Sequence, residues 1–368
     1  MKHGSCLALV AALLVAPASS VEYTIETCSD ITDVDDTLVT AIIIDASIFT
    51  CDEYTRFRVR HAMTLKATGP SLKFSNFSLK VLGELTVEPD VVFTGVTDQI
   101  KNGGVLYVSE GASATFMGAS SFTDNSVRNK PVGNSYVTKK GGAIHNKGIL
   151  MFEGEAIFER NEVRTDDSPD QGKGGAISNT GSGSILFKGK LVMEENMADG
   201  FFAGLGGAIY TRGNIVLDGE SEFSLNAASD GGGIYQTSVG SLAFNGMTTF
   251  SENTAYELRG GGLYNGGGVV DFNDGSLFDG NRASGSGDGG FGGGIYNGDG
   301  GTVALTGPTT FSSNAAYWGG AIYTDDGDVE DGKAASATTY PDDADFVGNS
   351  AEFCPDVNNG DNDSCPEV

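Results

Sequence analysis

A Gly-Gly step followed by a small or branched residue and then Leu or Ile recurs eight times, with first glycines at Gly103, Gly141, Gly174, Gly206, Gly231, Gly260, Gly292 and Gly319. Each copy is followed by an aromatic residue or Met, two arbitrary residues and Asn; the asparagines are Asn125, Asn161, Asn196, Asn226, Asn253, Asn281, Asn314 and Asn349. From glycine to aromatic the spacing is 17 to 19 residues in the first seven copies and 27 in the last, whereas the gap from Asn to the next glycine ranges from 5 to 16. Length variation is thus concentrated at one corner of a nearly rigid unit, which is how insertions are tolerated at loops. Stacked units of this size mean a solenoid.

Within residues 206–226 the stretches GGAIYT, NIVLDG and SEFSLN are separated by the turn-forming pairs Arg212-Gly213 and Gly219-Glu220. Period-two alternation and frequent glycine argue against helix. The expectation is an all-β, right-handed parallel β-helix of the pectin-lyase-like kind, with three strands per rung and about ten to eleven rungs. Alternation points Ile209, Val216 or its neighbour, and Phe223 inward. The inward column after Gly-Gly would be Leu106, Ile144, Ile177, Ile209, Ile234, Leu263, Ile295 and Ile322, with the phenylalanines packed opposite, and these two columns are read as the core. Glycines are expected to supply positive φ or close approach at a corner, and the eight asparagines a left-handed residue with side-chain hydrogen bonds between turns, both structural roles.

If Ile points inward, the next residue points outward, aligning Tyr107, His145, Ser178, Tyr210, Tyr235, Tyr264, Tyr296 and Tyr323. An exposed line of rings could stack on sugars or on a protein partner; the plainer account is that the rings stabilise the sheet by stacking on one another. On the binding account, replacing Tyr235 and Tyr264 by Ser abolishes glycan or cell binding.

Residues 1–20 combine Lys2 and His3, an apolar run too short to span a bilayer, and small residues at Ala18 and Ser20, the pattern of a secretory signal peptide. An extracellular location, released or retained at the cell surface, is expected. Residues 21–37 are expected to cap the first coil, residues 38–102 to form two or three degenerate rungs, residues 103–349 to hold the eight cassettes, and residues 350–368 to form a C-terminal cap and tail, since an open sheet edge must be covered. Secretion permits disulfides, and sequence clustering favours Cys28 with Cys51 and Cys354 with Cys365 among three connectivities.

The formal charge is −27, and residues 201–368 carry only Arg212, Arg259, Arg282 and Lys333 as cations. Nucleic acid is therefore not an expected partner. Sequons stand at residues 76–78 and 362–364.

Alternating GGAI or GGGI, as at residues 141–144 and 292–295, with FxxN over residues 103–349 resembles the polymorphic outer membrane protein repeats of chlamydial autotransporter adhesins. The resemblance implies a β-helical passenger displayed at a cell surface for adhesion. The family's C-terminal transmembrane barrel is not expected here, nor is a transmembrane segment or a lipid-anchor signal.

An enzyme on this fold, a polysaccharide lyase or glycoside hydrolase, would need paired carboxylates, or calcium-binding carboxylates beside a base. Only His61 and His145 remain beyond the leader, and neither an Asp-Asp pair nor a Gly-His-Gly constellation of the pectinase kind is present. No catalytic residue, metal ligand or cofactor is assigned. The acidic runs at 165–170, 324–332 and 356–363 raise calcium binding, but none has an EF-hand spacing, and solvated loops account for them. The expected function is a non-catalytic surface for glycans or cell-surface proteins, with an enzyme as the alternative; the oligomeric state is left open.

Overall fold

The computed structural model describes residues 21–28, 30, 39–45, 48–97, 102–128, 138–165, 171–200, 203–285, 289–325 and 336–358. The leader, Cys365, Asn362 and most of the acidic runs lie outside them.

The chain is a parallel β-helix with three main faces. The middle face is a sheet of 12 parallel strands, beginning with Glu22–Ile25 and ending with Ala337–Thr339. A second sheet of 20 strands contains the other two faces. Its long strands Ile48–Val59 and Ser71–Val81 each turn a corner and serve both, so the 20 strands form two ladders of eleven. Ten to eleven rungs were expected, and two faces have eleven. The expected N-terminal cap opens instead with a strand of the coil, Glu22–Ile25, paired to Ala41–Ile44. At the other end Val357–Asn358 continues the isoleucine face by pairing with Ile322 and Tyr323.

Register places like on like. Leu106, Ile144, Ile177, Ile209, Ile234, Leu263, Ile295 and Ile322 are successive Cα partners, all fully buried. Phe122 stacks on Phe158 at 4.8 Å, Phe223 on Phe250 at 4.7 Å and Phe278 on Phe311 at 4.8 Å. Met193 occupies the column between Phe158 and Phe223.

Two columns do not complete the core. The middle face adds a second phenylalanine column through Phe116, Phe152 and Phe187, and again through Phe244 and Phe272, stacked at 4.5 to 5.1 Å. The two columns meet edge to face, as for Phe152 and Phe158 at 6.0 Å and 87°, the arrangement that the ring quadrupole favours. On this face Ile215 and Leu217 point inward and Val216 outward.

The corner after each Asn is also more ordered than a three-strand rung implies. A short ladder of six strands, from Ser126–Arg128 to Arg282–Ala283, buries Val127, Val163, Ala198, Ala228, Ala255 and Ala283 before the variable connection begins.

The left-handed residue sits one position before the Asn: Asp124, Arg160, Glu195, Leu225, Glu252 and Ser313 have φ of 51 to 56°, and Gly280 and Gly348 occupy the same place. That kink turns the Asn side chain into the corner. Each amide is fully partnered between rungs. Asn226 Oδ1 accepts from the backbone N–H and Nδ2 of Asn196, both at 3.0 Å, while its own Nδ2 donates to Met193 O and Asn253 Oδ1, both at 2.9 Å. The pattern runs from Asn125 through Asn161, Asn196, Asn226, Asn253, Asn281 and Asn314 to Asn349. All eight but Asn349 are completely buried.

A disulfide joins Cys28 and Cys51, with Cα atoms 5.2 Å apart. Cys354 is also disulfide-bonded; its expected partner Cys365 falls outside the described residues. Among the described residues no helix is long and apolar enough to cross a membrane.

Candidate binding surface

The outward column of the isoleucine face is aligned as the alternation requires: Tyr107, His145, Ser178, Tyr210, Tyr235, Tyr264, Tyr296 and Tyr323 are successive register partners. Its rings are not exposed. Tyr210, Tyr264 and Tyr296 retain 4% of their surface and His145 2%, while Tyr107, Tyr235 and Tyr323 are half-buried.

Two causes act together. The rings stack along the helix axis, Tyr235 on Tyr264 at 4.3 Å and Tyr264 on Tyr296 at 5.0 Å, with Tyr210 and Tyr323 continuing the stack at 5.6 Å on either side. Both faces of Tyr235, Tyr264 and Tyr296 are therefore occupied by neighbours. The connections that lead into the next Gly-Gly step also lie against the column, bringing Arg259 over Tyr296 at 5.3 Å and the edge of Phe291 to Tyr323 at 4.9 Å. Burial pushes the Tyr210, Tyr235, Tyr264 and Tyr296 phenols up, so they stay protonated. From Tyr235 to Tyr296 the column leaves no ring face on which a sugar could stack.

His145 interrupts the tyrosines and meets Tyr107 edge to face at 5.1 Å. Its Nε2 lies 2.9 Å from Thr180 Oγ1, while Nδ1 and the neighbouring Ser178 Oγ are buried without a protein partner. Burial, followed by the charges of Lys140, Lys147 and Arg56, pushes the imidazole down to about 3. It is neutral in the folded chain at pH 7 but titrates near its ordinary value of 6.5 when unfolded. Between those values the unfolded chain holds the extra proton, so this group makes stability fall as pH drops from 6.5 towards 3. Asp230 works in the opposite sense. Burial pushes its carboxyl up to about 6, so its contribution is present below the ordinary Asp value of 3.8 and is lost as pH rises through 6. His145→Gln removes only the first effect. In urea unfolding at pH 7 and pH 4.5, the wild type should lose about 2 kcal/mol more on acidification than the variant, and equal losses would show that His145 carries no such penalty.

The sequence reading missed the polar wall around His145. Lys140, Lys147, Lys173 and Arg212 converge on a cavity of about 340 Å³, whose floor and rim include Thr180, Ser182 and Tyr210, with Glu110 as its single acidic residue. Lys173 stands 5.0 Å from the centre of the Tyr210 ring. Lys140 and Lys173 are both pushed down, first by burial and then by neighbouring cations. On the same face, towards the N-terminus, Tyr54, Arg56, Arg58 and Lys80 line a second cavity of about 300 Å³. Register joins the two clefts, since Arg58, Lys80, Tyr107, His145, Ser178 and Tyr210 are consecutive partners. Lys80 lies 5.4 Å from the Tyr107 ring centre. Arg56 is tied to Ser78 Oγ at 3.0 Å and to Gly103 O at 2.5 Å.

A second polar ladder, also missed, lies two residues after each inward Ile. Asn146 Nδ2 donates to Asn179 Oδ1 at 2.9 Å and Asn265 Nδ2 to Asn297 Oδ1 at 3.0 Å, with Thr211 and Gln236 at the equivalent positions between them. In the sequon at residues 76–78 the Asn76 amide nitrogen, the atom a glycan would occupy, donates to Cys51 O at 3.1 Å. Among the described residues no group of three or more His, Cys, Asp or Glu side chains is gathered as a metal site would require.

The Chlamydia polymorphic membrane protein repeat matches at residues 119–147 and 308–325. Both segments run from an FxxN motif across the corner into the following Gly-Gly step. The chain is also 33% identical over 177 residues to a probable outer membrane protein PmpG of Chlamydia muridarum (strain MoPn / Nigg), a match covering 42% of this chain and 17% of that relative. No solved structure matches the chain. The chain thus carries repeats of the polymorphic membrane protein type, over a small part of the length of the relative it matches.

Proposed function

We propose that this chain, built on polymorphic membrane protein-type repeats, is a non-catalytic adhesion or binding surface at the cell exterior, with glycans or cell-surface proteins as its partners. The observation that carries this reading is the union of those repeats with a continuous solenoid wall. Stacked parallel strands present side chains in straight columns over many rungs, an extended surface of the kind repeat proteins use for binding. The match to an outer membrane protein supports a surface location. The second reading, a polysaccharide lyase or hydrolase, draws on fold analogy, which is a weak guide to function.

The test uses the full secreted chain. Saturable binding to intact cells or to arrayed glycans is expected, with no new reducing ends and no unsaturated products when the chain is incubated with acidic polysaccharides. Product that accumulates in proportion to protein concentration would overturn the non-catalytic reading, and absence of any binding would remove the adhesion reading.

A further inference from the structure

We infer that the basic strip on the isoleucine face, from Arg58 and Lys80 through the cleft of Lys140, Lys147, Lys173 and Arg212, is a binding groove for a carboxylated or sulfated polysaccharide. The inference rests on the adhesion reading and names its ligand class.

The argument begins with charge. The chain has 22 cationic against 49 acidic side chains, yet the two clefts together hold seven of those cations with Glu110 as their one acid. None of Lys140, Lys147, Lys173 or Arg212 has a carboxylate within ion-pair distance among the described residues. Elsewhere the surface pairs its charges, as with Lys188 and Glu153 at 2.8 Å or Lys66 and Glu22 at 2.8 Å. Cations gathered at partial burial repel one another: Lys140 and Lys173 are pushed down first by burial, and then by Lys147 and Arg212 at Lys140 and by Lys140 and Arg212 at Lys173. Among the described residues this repulsion is left uncompensated, and an anionic ligand would relieve it.

Geometry then selects the class of polyanion. Five rung steps separate Arg58 from Tyr210 in register, about 24 Å at the usual spacing of about 4.8 Å between strands, so the two clefts, with His145 and Ser178 buried between them, are spaced for successive anionic groups of an extended chain rather than for a single ion. The cleft walls offer hydroxyls at Thr180 and Ser182 beside the ammonium groups, donors and acceptors suited to sugar hydroxyls between the anionic groups. Nucleic acid fits less well. Single strands are held by aromatic faces on which bases stack, whereas the rings of the strip already carry cations, Lys80 at 5.4 Å from the Tyr107 ring centre and Lys173 at 5.0 Å from that of Tyr210.

The experiment measures binding of the intact chain to heparin, polygalacturonate, neutral dextran and single-stranded DNA by calorimetry at low and moderate salt. Heparin or polygalacturonate is expected to bind, with affinity falling as salt rises, and dextran not to bind. Lys147→Ser with Arg212→Ser, two positions outside the core, should weaken that binding at least tenfold. The control Lys188→Ser with Lys190→Ser, which removes an equal charge elsewhere, should change it less than twofold. Circular dichroism and melting temperature verify that both variants are folded. Equal weakening by both double variants, no binding of either acidic polysaccharide, or DNA binding as tight as theirs would each overturn the assignment. Cell binding that survives in the Lys147/Arg212 variant would overturn the groove while leaving the adhesion reading intact; cell binding absent from the wild type would remove the adhesion reading itself.

Discussion

Asn253→Ala is expected to destabilise the chain by about 4 kcal/mol, although it removes only a short side chain. In the native ladder Asn253 Oδ1 accepts from the backbone N–H of Asn226 at 3.1 Å and from its Nδ2 at 2.9 Å, and Asn253 Nδ2 donates to Phe223 O at 2.8 Å and Asn281 Oδ1 at 3.0 Å. All of these groups are buried, and truncation strands two donors of Asn226 together with the Phe223 carbonyl. An orphaned buried polar group costs about 1–3 kcal/mol. Asn253→Asp separates this from simple loss of volume. A carboxylate can still accept from Asn226 but opposes Phe223 O and Asn281 Oδ1 without a proton to offer, so its pKa must rise in the folded state. Its deficit relative to wild type should therefore be largest at pH 7 and shrink as pH falls towards 4. Because neighbouring coils stabilise one another in sequence, the lesion should also broaden or split the urea transition. Unfolding of the Ala variant within 1 kcal/mol of wild type would mean that the ladder is not a principal support of the stack.

How much of this could be read from the sequence depends on what kind of information each feature carries. The inward Ile column and the FxxN phenylalanines were legible because period two fixes the side of the sheet and the motif fixes the register. The second phenylalanine column was equally available: Phe116, Phe152, Phe187, Leu217, Phe244, Phe272 and Leu305 each precede the motif aromatic or Met by six residues. The buried polar ladder was available too, as Asn146, Asn179, Asn265 and Asn297 each follow the inward residue by two. Burial of the tyrosines was not. Alternation says that a side chain leaves the core, but not whether a connection of 5 to 16 residues then folds over it, as those carrying Arg259 and Phe291 do. The basic strip is the extreme case. Arg58 and Arg212 are 154 residues apart in sequence, and only the stacking register of five rungs brings their clefts onto one line.

Gly207→Ala is expected to cost more than 4 kcal/mol, or to prevent folding, although one methyl group is the whole change. The second glycine of each Gly-Gly step is a point of close approach between neighbouring rungs. A Cβ at Gly207 would overlap the carbonyl oxygen of Gly232 in the next rung and would stand 2.6 Å from the Ala227 backbone nitrogen and 2.7 Å from its oxygen. All three atoms are backbone, and hydrogen bonds between rungs fix the chain there, since Gly207 N–H donates to Gly231 O at 3.1 Å and Ala227 N–H to Asn196 O at 3.0 Å. No side chain can swing away. The rungs would have to separate at the corner where the Asn ladder also runs, which breaks both sets of bonds together. Gly111→Ala supplies the contrast: its φ is 76°, but a Cβ there meets nothing within 4 Å. That variant should show only the strain of a left-handed residue, about 1–2 kcal/mol. Parallel urea melts of the two variants read the difference directly. Similar small losses in both would mean that rung spacing is not set by glycine contact at the corner, and the repeated Gly-Gly would then need another explanation.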